Sequence, residues 1–299
     1  MDLATLRSFL KIVEHGTFTR AAVACGVSQP ALSQQVAKLE AELGTPLFER
    51  QGRRLKLTET GERLRERAEQ IVALVDDTAR ELADDGRTGR LAVAAIPTIA
   101  PYFLPGPLKA FREQHPEVRL ELHELTTEAL LKALRQGDVD LGVLALPVDG
   151  RYLEFEPLFE ESLLLVVPAG HRLARGGPVR LDRLRAEPFV LLDEAHCLSG
   201  QIRSFCERRQ FHPLETGRST QLATVQEMVA LGHGLSFVPE MARRLDTSDQ
   251  RVYVPIAGEA PRRTIGVGWN PYRYQSRLAR AFREQLRSAA RPDEPSRSR

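Results

Sequence analysis

The sequence predicts an all-α winged helix-turn-helix domain carried on a long linker helix and followed by an α/β domain. Three observations carry that expectation: a helix, glycine turn and helix near the start, an uninterrupted heptad pattern over residues 59–82, and apolar β-rich runs alternating with helical stretches beyond residue 90. The 299 residues suffice for about two domains, and 42% hydrophobic with 27% charged residues is ordinary for a globular chain.

In the first segment Leu3, Leu6, Phe9, Leu10 and Val13 recur at three- and four-residue steps, as an amphipathic helix requires. A second short helix is expected over 19–24, where Ala21 and Ala22 allow close packing. Gly26 makes the turn, Ser28 is a natural N-cap, and Pro30 falls in the first turn of a third helix, Gln29–Leu43. That helix should bury Leu32, Val36, Leu39 and Leu43. Its other face offers Ser28, Gln29, Pro30, Ser33, Gln34 and Lys38, of which the polar ones have the reach for base edges and phosphates in a major groove. A hairpin around Gly52, with Arg50, Arg53, Arg54 and Lys56, reads as a wing resting on phosphates.

Net charge is only +2, so basicity must be local: residues 1–58 hold 8 Lys or Arg against 5 Asp or Glu. From 59 to 82, Leu64, Ala68, Ile71, Val75, Thr78 and Leu82 step by four and three, a seam that could pair with its copy in a dimer or pack on its own domain. Residues 84–90 read as a hinge. Beyond them LAVAAI, VRLELHEL, DLGVLAL, LLLVVP, FVLL, LSFVP and TIGVGW are the expected strands.

Several function classes drop out. No apolar run approaches the ~20 residues that span a bilayer, and the first residues lack a basic start followed by an apolar stretch, so a cytoplasmic protein without a membrane partner is expected. There is no phosphate-cradling glycine loop, and His171, His196, His212 and His233 lie scattered without metal-type spacing, so neither cofactor, metal nor enzymatic activity is expected.

The sulfur distribution stands out. Two of the three cysteines, Cys197 and Cys206, lie nine positions apart in LLDEAHCLSGQIRSFC, and a metal site, a buried core or a thiol switch could each account for them. A helix is expected to open at Ser199 and Gly200, placing Cys197 just before its start, where a thiol pKa should fall, with His196 adjacent. Cys206, beside Ile202 and Phe205, should be buried and quiet. Nine helical steps separate Cα atoms by about 13 Å, against the 4.4–6.8 Å a disulfide tolerates, so bridging would need the helix to loosen. Cys25, in the helix-turn-helix turn, reads as packing.

LRSFLKIVEHGTFTRAA, VSQPALSQQVAKLEAELGTPLFER and LTETG together resemble the winged helix-turn-helix signature of LysR-type transcriptional regulators. The resemblance implies binding to double-stranded promoter DNA through Gln29, Pro30, Ser33, Gln34 and Arg53, self-assembly as a dimer of dimers, and RNA polymerase as a candidate further partner. It also implies an effector domain of two Rossmann-like lobes of periplasmic-binding-protein type. The expected domains are 1–58 for DNA binding, 59–88 for the linker helix and hinge, and 89–299 for regulation, with lobe I at 89–160 plus 268–299 and lobe II at 161–267. AHCLSGQIRSFC, AIPTIAPYFLP, HELTTEALL and APRRTIG further resemble the peroxide-sensing branch of that family. By that resemblance hydrogen peroxide is the signal, Cys197 is the peroxidatic and Cys206 the resolving cysteine, and Thr98, Thr127, His196 and Arg263 surround the peroxide. Ser199-Gly200 stands where a charged pair is usual in that branch. The rival expectation is a LysR-type regulator that holds a small carboxylate or aromatic inducer between its lobes.

Overall fold

The computed structural model describes residues 1–51, 54–193 and 197–290, and the chain divides into two compact units at Ala83/Asp84. No described helix is long and apolar enough to cross a membrane.

The first unit comprises α1 (Leu3–His15), α2 (Phe18–Cys25), α3 (Gln29–Leu43), a hairpin of β1 (Phe48–Gln51) and β2 (Arg54–Leu57), and α4 (Glu59–Ala83). Local chemistry explains the boundaries. Asp2, Thr17 and Ser28 each accept a hydrogen bond from an amide in the first turn of α1, α2 and α3, and Gly16, Gly26 and Gly44 end those helices in the left-handed region that favours glycine. Thr17 as the cap sets α2 one residue longer at each end than the sequence predicts, and makes Cys25 its half-buried last residue. Leu6, Phe9, Leu39, Leu47 and Ala68 form one buried cluster and Ile12, Ala21, Ala22, Leu32 and Val36 another, with Phe48 packed against both. Leu43, expected in the core, is 40% exposed because the helix ends directly after it at Gly44.

The linker helix divides its heptad positions between packed and exposed. Leu64 and Ala68 pack into the unit's own core, whereas Ile71, Val75 and Leu82 are 41%, 43% and 84% exposed. The wing is tied to the helices through Glu40, whose Oε1 accepts from the Leu47 and Phe48 amides, and through Thr58, whose hydroxyl donates to the Pro46 carbonyl.

The second unit runs β3 (Gly89–Ala95), α5 (Ala100–Phe103), α6 (Pro105–Gln114), β4 (Val118–Glu124), α7 (Thr127–Gln136), β5 (Leu141–Leu146) and β6 (Glu154–Pro168). It continues with β7 (Pro188–Leu192), α8 (Cys197–Arg208), β8 (Leu214–Ser219), α9 (Leu222–Ala230), β9 (Ser236–Pro239), α10 (Glu240–Arg244), β10 (Arg251–Val254), β11 (Arg262–Trp269) and α11 (Arg277–Ala290). Each predicted apolar run contains a strand. β3 pairs in parallel with β4 and β5, as strand–helix–strand units require.

Two lobes follow from two buried cores, one around β3, β5, α7 and α11 and the other around β7, α8, α9 and β9. β6 belongs to both. Up to Ser162 it pairs with β11, and from Leu163 onward with β9 and β10. The return to the first lobe falls earlier than the sequence reading placed it. β11 pairs with β5 from Thr264, and Ile265 and Val267 sit in the first core, so the second crossing lies near residue 262 and not at 268. The apolar run TIGVGW marks a strand but carries no signal for which sheet it joins.

Candidate functional site

In the first unit, Ser28, Gln29, Pro30, Gln34 and Lys38 are exposed and Ser33 is half-buried, whereas Leu32, Val36 and Leu39 of α3 are buried. Ser28 is the cap, and Gln29 Nε2 donates to Ser33 Oγ at 3.1 Å, so the helix start presents an ordered polar edge. Arg50 lies on β1; its side chain and Arg53 fall outside the described residues.

In the second unit Arg263 lies near the start of β11, whereas Thr98, Thr127 and Cys197 lie on a loop or a helix start. Thr98 follows β3 and is 2% exposed, Thr127 opens α7 with Thr126 as its cap, and Cys197 is the first residue of α8. Thr98 and Arg263 are brought into direct contact. Arg263 Nη1 donates to Thr98 Oγ1 at 2.8 Å and Nη2 to the Thr98 carbonyl at 3.0 Å. The guanidinium is wholly buried, and its charge is met by Glu161, whose Oε1 accepts from Nε at 2.7 Å and lies 2.6 Å from Nη2. Glu161 Oε2 accepts from the Met241 amide at 3.1 Å, while the Met241 sulfur lies 3.8 Å from Arg263 Nη2. Removing one partner from such a buried pair costs about 3–5 kcal/mol, because the other charge is left without solvent.

Among the described residues two buried oxygens of the second unit have no hydrogen-bond partner, Thr127 Oγ1 and Gln201 Oε1. Native interiors rarely leave such groups unmet, so both are candidates to meet a bound polar molecule. Gln201 stands one turn after Cys197, and its Nε2 donates to the carbonyl of Leu146 at the end of β5, which brings α8 against the first lobe.

α8 itself is continuous from Cys197 to Arg208. It starts two residues before the predicted point; within the first turn the buried Ser199 hydroxyl donates to the Leu192 carbonyl at 2.8 Å and fastens α8 to β7. Cys197 is half-buried and packs against the first lobe's core, whereas Leu198, Ile202, Phe205 and Cys206 belong to the second lobe's core. The thiols are therefore inequivalent. Burial, with a smaller effect from the Glu207 charge, pushes the Cys206 thiol up to about 12. Both cysteines are free, and an unbroken helix between them keeps their Cα atoms about 13 Å apart.

His196 lies outside the described residues. Among the described residues no group of three His, Cys, Asp or Glu side chains could hold a metal ion. Sequence reasoning missed Glu161, Gln201 and Met241. For Glu161 a signal existed: it shares its strand face with Leu163 and Leu165 at period two, which places a carboxylate on the buried side. For Gln201 the spacing of four from Cys197 was the only hint.

The pattern for the LysR substrate binding domain matches residues 84–291, and that for the bacterial regulatory helix-turn-helix protein, lysR family, matches residues 3–62. Over 294 residues the chain is 34% identical to the DNA-binding transcriptional dual regulator OxyR of Escherichia coli, covering 96% of each. A full-length OxyR cysteine variant from Pseudomonas aeruginosa is similar at TM-score 0.75 and 30% identity, over 97% of this chain and 94% of that one. A cysteine mutant of Corynebacterium glutamicum OxyR with hydrogen peroxide bound is similar at TM-score 0.63 and 31% identity, over 96% and 92%.

The unequal thiols predict an unequal reaction with iodoacetamide in the reduced, native protein at pH 7. A thiol at about 12 holds roughly a thousandfold less thiolate than an ordinary one. Peptide mass spectrometry should find Cys197 and Cys25 labelled while Cys206 stays unmodified until the protein is unfolded; equal labelling of Cys206 and Cys25 would contradict its burial.

Proposed function

The chain belongs to the LysR family of bacterial helix-turn-helix regulators, and we propose that it is a peroxide-responsive member that senses hydrogen peroxide through Cys197 and stores the signal as a Cys197–Cys206 disulfide. The observation that carries this reading is α8: one helix presents a half-buried thiol at its start, against one lobe, and buries a second thiol in the other. The peroxide-bound C. glutamicum relative supports the choice of oxidant.

In the proposed reaction the Cys197 thiolate attacks one oxygen of hydrogen peroxide. The S–O bond forms as the O–O bond breaks, and the departing hydroxide takes a proton to become water. Cys197 is then a sulfenic acid, oxidised by two electrons. The hydroxyls of Thr98 and Thr127, with His196 and Arg263, are assigned to holding the peroxide. Cys206 must leave its apolar surroundings before it can ionise and attack. Its thiolate then displaces hydroxide from the Cys197 sulfur, which forms the S–S bond at the cost of the helix between them. An arginine already compensated by Glu161 suits a neutral oxidant better than a carboxylate inducer.

The same reading assigns Ser28, Gln29, Pro30, Ser33, Gln34, Lys38, Arg50 and Arg53 to promoter DNA, the exposed part of the α4 seam to self-association, and the assembled dimer of dimers to transcription control with RNA polymerase as partner. Remodelling of α8 is the two-state element that would alter the assembly.

The decisive measurement treats the reduced protein with a small excess of hydrogen peroxide and maps disulfides without reduction. A Cys197–Cys206 bridge is expected in the wild type, none in Cys197→Ser, and a trappable sulfenic acid without a lasting bridge in Cys206→Ser. Free thiols in the treated wild type would sink the proposal and hand the lead to an inducer bound between the lobes.

Gly200 tests the need for unwinding. It lies in the first half of α8 with open space where a Cβ would go, so Gly200→Ala should stabilise the helix by about 0.5–1 kcal/mol. Sulfenic acid formation should keep its rate while closure of the bridge slows about two- to fivefold; an unchanged closure rate would mean that α8 need not open.

For DNA, Lys38→Ala should weaken binding to all sequences alike and lower the salt slope by about one, whereas Gln34→Ala should cost about 1–3 kcal/mol at one base position. Salt titrations on selected and scrambled operators separate the two, and a sequence-independent loss in Gln34→Ala would remove it from base reading.

A further inference from the structure

We propose that Glu161 is a positioning residue for the oxidation of Cys197, acting through Arg263 on the Thr98 hydroxyl; this deepens the peroxide reading above and rests on it. A guanidinium has five N–H donors in a fixed fork. In Arg263 the Nε–H goes to Glu161 Oε1, Nη2 is shared among the Thr98 carbonyl, Glu161 Oε1 and the Met241 sulfur, and one Nη1 hydrogen goes to Thr98 Oγ1. Among the described residues one Nη1 hydrogen meets no acceptor.

The consequence lies in the polarity of the Thr98 contact. Because Thr98 Oγ1 accepts from Arg263, its own proton cannot point at the guanidinium and is free to donate elsewhere. A hydroxyl held in that sense is a donor for the oxygen that takes up negative charge when the peroxide bond breaks. The arrangement lasts only while the guanidinium stays where it is, and Glu161 fixes it there.

Three facts make Glu161 the part that sets this geometry. Its side chain is 6% exposed and that of Arg263 0%, so neither charge has water as an alternative partner. Glu161 is the direct cross-strand partner of Arg263 in the β6–β11 ladder, next to the point where β6 leaves the first lobe's sheet. Its second oxygen is occupied by the Met241 amide, so the carboxylate is held at both ends. Met241 belongs to the buried cluster against which Cys197 packs, which puts thiol and clamp on one continuous core.

The test compares wild type, Glu161→Gln and Glu161→Asp in a Cys206→Ser background, so that only the first oxidation is read. Two second-order rates are measured at Cys197, one with hydrogen peroxide and one with iodoacetamide, alongside a thermal melt. Iodoacetamide reports thiol exposure and ionisation but makes no use of a donor to a leaving hydroxide. Glu161→Gln should slow the peroxide reaction about tenfold or more, since small misplacements of a positioned group cost on that scale, while alkylation stays within about twofold of wild type. A wild-type peroxide rate overturns the inference, as does an equal fall in both rates. Should Glu161→Gln fail to fold, Glu161→Asp decides. Its shorter carboxylate should slow peroxide about threefold, and that loss should vanish in a Thr98→Val background, where the hydroxyl is absent. An undiminished rate, or a loss that persists without the hydroxyl, overturns the inference. If wild-type Cys197 itself fails to react with peroxide, the functional reading falls and this inference with it.

Discussion

A disulfide cannot be drawn along an intact α-helix, and the proposed function of the second unit depends on that constraint. α8 begins with one cysteine and buries the other two and a half turns later, so the reduced fold and the bridge are mutually exclusive. Leu198, Ile202 and Phe205 lie between the thiols and are nearly fully buried. Exposing each would cost about 1.5–3 kcal/mol, so opening the helix threatens the second lobe's core and is not a local rearrangement. A covalent bond formed at the expense of peroxide can hold such an opened state where thermal motion would not.

The first turn of α8 is built to hold and to yield. Ser199 fastens it to β7 through a buried hydrogen bond, and Gly200 beside it weakens the helix by its conformational freedom. Opposite that turn, Gln201 reaches the carbonyl end of β5 with its amide nitrogen and leaves its oxygen unmatched. An anchor, a weak link and an unmet acceptor fall within three consecutive residues, where the proposed opening of α8 would begin.

Much of this was legible in the sequence, and the reasons differ by element. Caps and glycine turns are local, so the second and third helices are placed by the sequence within a residue or so of their ends. The strands of the second unit were visible as apolar runs, but their sheet was not, because β11 makes its bonds to residues more than a hundred positions away. The cysteine pair announced itself through scarcity. Its partners did not: Glu160 and Glu161 are neighbours of one chemistry, and only the inward register of Leu163 and Leu165 tells which carboxylate faces Arg263. α8 starts two residues before Ser199 because the Ser199 hydroxyl serves as a tether within the first turn and not as an opening residue.

The Arg263–Glu161 pair also bears on which oxidant or ligand the site can take. An unpaired buried arginine would draw carboxylates and inorganic anions. Here Glu161 cancels the net charge while leaving directed donors in place, so what remains is hydrogen-bonding shape and not a field. On the proposed reading hydrogen peroxide, which is small, neutral and able to donate and accept at both oxygens, would be met by threonine hydroxyls and an N–H of Arg263. A compensated cation can therefore reject such anions and still meet negative charge at the moment the O–O bond gives way, because that charge develops beside a donor already in position.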